Sequence, residues 1–290
     1  MKYAAIDIGS NAIRLLIAEV KKTGSLKQYK KVSLIRVPVR LGDDSFINKK
    51  ISKSKTEDFY KTMLAFKSLM EVHKVEKYMA CATSAMREAK NGQDIIDKVN
   101  EKLNLKIEIV AGGKEASIIY ASHVEENLDR NKNYLYIDVG GGSTELSLFH
   151  NGKISQSKSF DIGTIRILDG RDRAETWEAM KLWTEEHVKK LELSAIGTGG
   201  NINKLFRLSE TEEEMAMTKS RLFEVATYLK SYSLEDRINT LGLNKDRADV
   251  IIPASDIFLS VMNWGEIDEI YVPRLGMVDG IIRILMDKYL

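Results

Sequence analysis

Tyr3-Ala4-Ala5-Ile6-Asp7-Ile8-Gly9-Ser10-Asn11, followed by a second apolar run from Ile13 to Val20, decides how this chain folds. A β-type run ends on an aspartate, a glycine opens a tight turn, and another β-type run returns. The same order recurs 131 positions later. There, Tyr134 to Ile137 leads into Asp138-Val139-Gly140-Gly141-Gly142-Ser143-Thr144-Glu145, and Leu146 to Phe149 returns. Glycine lets the backbone take positive φ and approach a ligand closely, so successive N–H groups can converge on phosphate oxygens. A carboxylate beside such a turn can hold a divalent cation such as Mg²⁺. A Rossmann dinucleotide fold fits poorly, because the glycine turn leads back into a strand and not into a helix.

Working outward, each turn heads a similar series. Tyr3–Ile6, Ile13–Val20 and Leu26–Val39 read as strands. A capping box at Ser54 and Glu57 predicts a helix carrying Phe59, Met63, Phe66 and Met70 at helical spacing. Tyr78–Ala82 reads as a short buried strand, residues 85–103 as a helix whose first turn holds Arg87, a positive charge poorly placed for the helix dipole, and Lys106–Val110 as a strand. Gly112-Gly113 then opens a helix with Ala116, Ile119, Tyr120 and His123. The polar stretch from Asp129 to Asn133 reads as a linker, after which three strands lead into a helix over 172–191. A third glycine loop, Gly197-Thr198-Gly199-Gly200-Asn201, follows a strand and opens a helix at Ile202. From its residues alone it reads as a tight strand-to-helix turn. Three antiparallel strands followed by crossover units, performed twice, predict a duplicated α/β architecture with a ligand cleft between the halves. The expected domains are 1–128 and 129–290, with the final helix able to pack back on the first.

Composition narrows the function classes. Charged residues make up 30% and hydrophobic ones 43% of 290 residues, an ordinary balance for a soluble globular protein. A net charge of only +2 gives no field that would mark a nucleic-acid binder. No run reaches the eighteen or so apolar residues of a membrane span. The one cysteine, Cys81, rules out an internal disulfide framework and reads as core, so the simplest location is the cytoplasm. Eleven Lys/Arg between Lys21 and Lys55 face only Asp43 and Asp44, which reads either as a solvated edge or as a landing surface for a polyanion. Glu210 to Glu214 reads as a solvated face, and the four histidines show no metal-ligand spacing.

Four elements together resemble the exopolyphosphatase/guanosine pentaphosphate phosphohydrolase family, over essentially the whole chain. They are Asp7-Ile8-Gly9-Ser10-Asn11 with Arg14-Leu15, Ala82-Thr83-Ser84-Ala85-Met86-Arg87-Glu88-Ala89-Lys90-Asn91, Gly112-Gly113-Lys114-Glu115-Ala116, and Asp138 to Glu145. The resemblance implies two ribonuclease H-like domains of the actin-like ATPase superfamily with an interdomain cleft. It also implies that Asp7 and Asp138 hold Mg²⁺ or another divalent cation. Phosphate binding falls to Gly9, Ser10, Asn11, Arg14 and Arg87, and to Gly140, Gly141, Gly142, Ser143 and Thr144. Glu115 is implied as the general base, with Glu145 positioning water or metal; Arg40 also matches a family position, and the third glycine loop matches one that contacts a nucleotide or the distal substrate.

The activity so implied is release of terminal orthophosphate from inorganic polyphosphate, and from guanosine pentaphosphate as a further substrate. The basic stretch tilts the reading toward polyphosphate. A homodimer follows from the resemblance alone, and neither nucleic acid nor membrane is an expected partner. The sequence departs from the family pattern at Ala12, Ser117 and Val278, each costing an anion contact. A sensor that binds polyphosphate or alarmone without turnover is therefore the competing reading, with a kinase of the same superfamily behind it.

Overall fold

The computed structural model describes residues 1–122, 132–150, 153–211, 216–273 and 275–290. The chain divides into two compact units, Met1–His123 joined by Gly276–Leu290, and Val124–Leu275.

In the first unit the order is β1 (Lys2–Ile8), β2 (Ile13–Thr23), β3 (Leu26–Val37), α1 (Leu41–Asn48), α2 (Lys53–Val72), β4 (Lys77–Ala82), α3 (Ser84–Glu88), α4 (Gly92–Leu103), β5 (Ile107–Ile109) and α5 (Gly112–Tyr120). Its sheet runs β3-β2-β1-β4-β5. β1 pairs antiparallel with β2 and parallel with β4, so it lies at the centre. Six of its seven residues are accordingly buried, and it reads as a continuous apolar run instead of an alternating one.

The second unit holds β6 (Asn133–Val139), β7 (Thr144–His150), β8 (Lys153–Phe160), α6 (Thr164–Leu168), α7 (Ala174–His187), β9 (Leu193–Thr198), α8 (Gly200–Leu208), β10 (Ala216–Thr218), α9 (Lys219–Lys230), α10 (Leu234–Asn239), α11 (Lys245–Ala248), α12 (Ile251–Trp264) and β11 (Glu269–Tyr271). Its sheet runs β10-β11-β9-β6-β7-β8, with β6 antiparallel to β7 and parallel to β9. Strand for strand this repeats the first sheet, with short β10 added at one edge. The core is built on Leu135, Ile137 and Leu146 from the sheet and on Ile257, Phe258 and Val261 from α12.

The last helix, α13 (Met277–Tyr289), belongs to the first unit and packs on β1, β2, β4 and α5. Gly280 is what allows it so close to α5: a Cβ there would lie 1.7 Å from the Ile118 carbonyl oxygen. Asp279, buried in the first turn of α13, accepts from the Tyr29 hydroxyl at 2.7 Å and from the Gly276 N–H at 3.1 Å. The Lys31 ammonium lies 2.7 Å from the same carboxylate. Lys27 reaches Asp287 at 3.2 Å, and Lys22 donates to the Leu290 carbonyl at 2.6 Å. Three of the eleven basic residues, Lys22, Lys27 and Lys31, thus clamp the last helix, which weakens the reading of the stretch as a polyanion landing surface. Lys49 and Lys55 are also engaged, with Glu88 and Asp43, each at 3.1 Å.

Several expected elements differ. The N-cap of α2 is Ser52, whose hydroxyl accepts from the Lys55 N–H, and not Ser54. The helix expected over 85–103 is two, α3 and α4, because the chain folds sharply between them. A Cβ on Gly92 would sit 2.0 Å from the Met86 carbonyl oxygen, so the backbone turns where no side chain fits. The helix expected over 172–191 is the shorter α7, and α5 ends at Tyr120. Helix α1 was not foreseen: it starts after Arg40, which takes a left-handed φ of 53°. Residues 129–131 of the expected linker, 212–214 of the acidic run, and His123 lie outside the described residues. Among the described residues, no helix is long and apolar enough to cross a membrane.

Candidate active site

Each central strand delivers its aspartate one residue before its end, and the strand register decides what faces it. In the first unit Asp7 stands opposite Arg14 on β2 and beside Cys81 on β4. In the second unit Asp138 stands opposite Glu145 on β7 and beside Thr198 on β9. The repeat is therefore geometric but not chemical: one aspartate faces a cation, the other a carboxylate.

In the first unit the Arg14 Nη1 lies 2.6 Å from the Asp7 Oδ2, with Asp7 buried. The glycine turn closes on itself through Gly9 N–H to the Ala12 carbonyl at 3.2 Å. Its carbonyls are held by the start of α1, Arg40 N–H donating to Asn11 at 3.0 Å and Gly42 N–H to Ser10 at 2.9 Å. The Ser10 and Ser84 hydroxyls share a hydrogen bond at 2.9 Å, tying the turn to α3. Arg40 pairs with Asp43 at 3.0 Å, so both family-matching arginines of this region sit on carboxylates. Ala12 is part of the core at 2% exposure.

Glu115 lies in the first turn of α5 and is buried. Arg87 is 3.9 Å from its Oε2 and donates to the Val110 carbonyl at 2.7 Å, joining α3 to the start of α5. Arg87 belongs to the last turn of α3, where a cation suits the helix dipole; the expectation of a misplaced charge in a first turn is corrected. Of the remaining departures, Ser117 is exposed and bonds back to the Gly113 carbonyl at 2.9 Å, while Val278 is buried in α13. The Cys81 thiol is pushed up to about 12, first by burial and then by the nearby Glu108, Asp7 and Glu115 carboxylates, with Lys114 opposing. It is a core residue and no nucleophile.

In the second unit the Asp138 carboxylate accepts from the Thr198 hydroxyl at 2.7 Å. Gly199, with φ at 102°, passes so close that a Cβ would lie 3.2 Å from the Asp138 Oδ1. The third glycine loop thus supports Asp138 from behind. Glu145 is buried and accepts from the Ser159 hydroxyl at 2.8 Å. Asp138 and Glu145 bring carboxylate oxygens within 4.8 Å of each other. Two hard oxygen donors at that spacing, each oriented by a hydroxyl on its other side, fit a divalent cation.

The Gly140–Gly142 turn is anchored by its carbonyls. Thr164 N–H donates to Gly140 at 3.0 Å, Ile165 N–H to Gly141 at 2.9 Å, and the Arg166 Nε to Gly142 at 2.5 Å. Gly163 is indispensable to this clamp, since a Cβ on it would fall 2.5 Å from the Gly141 carbonyl. Ser143 is buried, and Thr144 is fully buried with its hydroxyl donating to the Ile162 carbonyl at 2.7 Å. Gly163, Arg166 and Ser159 are supporting residues that the sequence reading missed, and Thr198 was singled out there only as part of the third glycine loop, without its bond to Asp138. For the first of these, a Gly-Thr pair at 163–164, three residues past the end of β8, was a local signal.

Two ribonuclease H-like units, each ending its central strand in an acid–glycine turn, define a phosphate-handling protein class. The chain belongs to the Ppx/GppA phosphatase family, whose model matches residues 16–289. It is 30% identical to a bifunctional 3-dehydroquinate synthase/phosphatase of Fusobacterium nucleatum, over 96% of this chain and 46% of that protein. It is 23% identical to exopolyphosphatase 1 of Mycobacterium bovis over 99% of this chain and 89% of that one. With a guanosine-5'-triphosphate,3'-diphosphate pyrophosphatase of Photobacterium profundum, identity is 24% and the chain spans 59% of the relative's length. Among solved structures, an exopolyphosphatase from Cytophaga hutchinsonii superposes with a TM-score of 0.85 at 21% identity, covering 99% of this chain and 98% of that one. The Aquifex aeolicus member of the family gives 0.80 at 23% identity, with 99% and 98% covered. These two likenesses bear on the fold.

Proposed function

We propose that this phosphatase hydrolyses terminal phosphoanhydrides, releasing orthophosphate from inorganic polyphosphate and, as a second substrate, from guanosine pentaphosphate. The observation that carries the reading is the Asp138–Glu145 pair set beside three consecutive glycines whose carbonyls are held from behind. Support for polyphosphate comes from the exopolyphosphatase relative, which matches over most of its own length. The basic stretch no longer adds to that preference.

In this reading the peptide N–H groups of Gly141 and Gly142, and those of Ser10 and Asn11, donate to phosphoryl oxygens, the Gly9 N–H being spent on the Ala12 carbonyl. Asp138 and Glu145 hold Mg²⁺ or another divalent cation, which when bound offsets charge on the phosphoryl oxygens. Thr198 and Ser159 fix which carboxylate oxygens remain for that task. Glu115 takes the proton of the attacking water and orients it in line with the leaving phosphate. Arg87 seats Glu115 and, with five donors on its guanidinium, keeps some for substrate phosphate. Arg14 is held in place by Asp7; metal ligation by Asp7 itself requires that ion pair to part.

Glu115→Gln tests the assignment. Phosphate release from long polyphosphate in Mg²⁺ is expected to fall by roughly 10²-fold or more, the contribution of a general base, with the thermal midpoint little changed. Near wild-type release by the variant sinks the role of Glu115. Tight polyphosphate binding by the wild type with no release at all favours a sensor instead.

A further inference from the structure

The first unit contains a cavity of about 880 Å³ whose lining includes none of the residues placed at the active site. That size falls within the roughly 300–1,000 Å³ of small-molecule sites. It opens between the first half of α2 and α4. Its floor is apolar, made by buried Ile51, Ile95 and Val99. Half-buried Tyr60 adds an aromatic ring, with the Lys102 ammonium 5.8 Å from its centroid.

Around this floor stand four exposed lysines, Lys50, Lys53, Lys98 and Lys102. Among the described residues none of these ammonium groups joins an ion pair. Of the two carboxylates in the lining, Glu57 is already engaged by Lys61 at 2.7 Å, which leaves Asp94. The first turn of α2, a 20-residue helix, carries no acidic residue to balance its positive end. Four like charges around one opening repel one another, and an anion between them relieves that repulsion.

We propose that this cavity binds a nucleotide, its base on the apolar floor beside Tyr60 and its phosphates among the four lysines. The two halves of the lining select for this chemistry jointly. A bare phosphate chain gains nothing from Ile51, Ile95 and Val99, and an uncharged aromatic leaves the lysines unanswered. Helix α1 connects the cavity to the glycine turn. Its first residues hold the Ser10 and Asn11 carbonyls, and its last, Asn48, lines the cavity. Occupancy is thereby placed to bias the geometry of the Ser10–Asn11 turn.

The test is a fluorescence titration of the full chain with N-methylanthraniloyl-GDP, without divalent cation so that turnover does not intervene. Saturable one-to-one binding is expected, weakened about tenfold or more by Lys98→Glu/Lys102→Glu. Lys50→Glu/Lys53→Glu, on the opposite wall, should act likewise and serves if the first variant folds poorly. Unlabelled GDP should compete at least about tenfold better than inorganic triphosphate. Absence of saturation at millimolar nucleotide, binding indifferent to both lysine pairs, or triphosphate competing as well as GDP each overturns the proposal. The readout is binding, so it stands or falls separately from the hydrolytic reading.

Discussion

Gly280→Ala puts the link between fold and chemistry to a direct test. The added Cβ would lie 1.7 Å from the Ile118 carbonyl oxygen of α5, and ordinary contact begins near 3.4 Å. Relief therefore demands that α5 and α13 part by 1.7 Å, since both contacting atoms are tied to helix backbone. Overpacking of this kind costs about 1–3 kcal/mol. For a protein of this size that predicts a fall in thermal midpoint of roughly 2–12 °C. The catalytic effect should be larger in proportion. Glu115 is only three residues before Ile118, and a misplacement of about 1 Å can cost on the order of 10²-fold in rate. The assay pairs a thermal melt with phosphate release from polyphosphate in Mg²⁺. Gly113→Ala is the control: it also lies in α5, but its Cβ meets nothing within 4 Å, so it should keep its activity and gain up to about 1 kcal/mol. If Gly280→Ala melts and turns over like wild type, the α5–α13 contact does not position Glu115 and the reasoning fails.

Thr198→Val keeps the side-chain shape but removes the hydroxyl that orients Asp138, so the Mg²⁺ concentration needed for half-maximal release should rise about 10–100-fold. An unchanged Mg²⁺ dependence argues against metal holding by Asp138. Burial and the adjacent Asp279 raise the Tyr29 phenol above its ordinary value, so the folded protein keeps this proton where the unfolded chain gives it up. That stabilisation is whole below pH about 10 and is lost as pH rises toward the folded value; Tyr29→Phe should flatten this alkaline loss in denaturant titrations. With its thiol pushed up to about 12 and fully buried, Cys81 should resist alkylation at pH about 8 in the native protein and react on denaturation.

How far the sequence could be read depended on whether a feature was local. The paired Asp–glycine turns were legible because strand, acid and glycine are consecutive, and their repetition pointed to a duplicated fold. The helix start at Gly112 was legible for the same reason, and with it the place of Glu115. What faces each aspartate was not. Arg14 and Glu145 occupy matching register positions, but register is fixed by sheet assembly and not by neighbours in sequence. The clamp on the glycine loop from Gly163 and Arg166 was equally hidden, since it joins residues more than twenty positions apart. The lysine-rich stretch misled because composition records a charge without its partner, and Asp279 and Asp287 lie some 250 positions away. Arg87 was misassigned because one sharp turn at Gly92 cut an expected long helix in two.

The clamp on α13 also has a consequence for the order in which the molecule is made. The first unit needs residues 276–290 for its completion, yet the whole second unit is translated before them. On the ribosome, β1 to β5 must wait with one face of their sheet uncovered while the second unit, continuous in sequence, is free to fold. Closing an unstructured loop of about 150 residues would cost on the order of 4 kcal/mol in chain entropy, and prior collapse of the intervening unit reduces it. A lesion that slows folding of the second unit should therefore expose the first unit's apolar sheet to chaperones and proteases, although it touches no residue there.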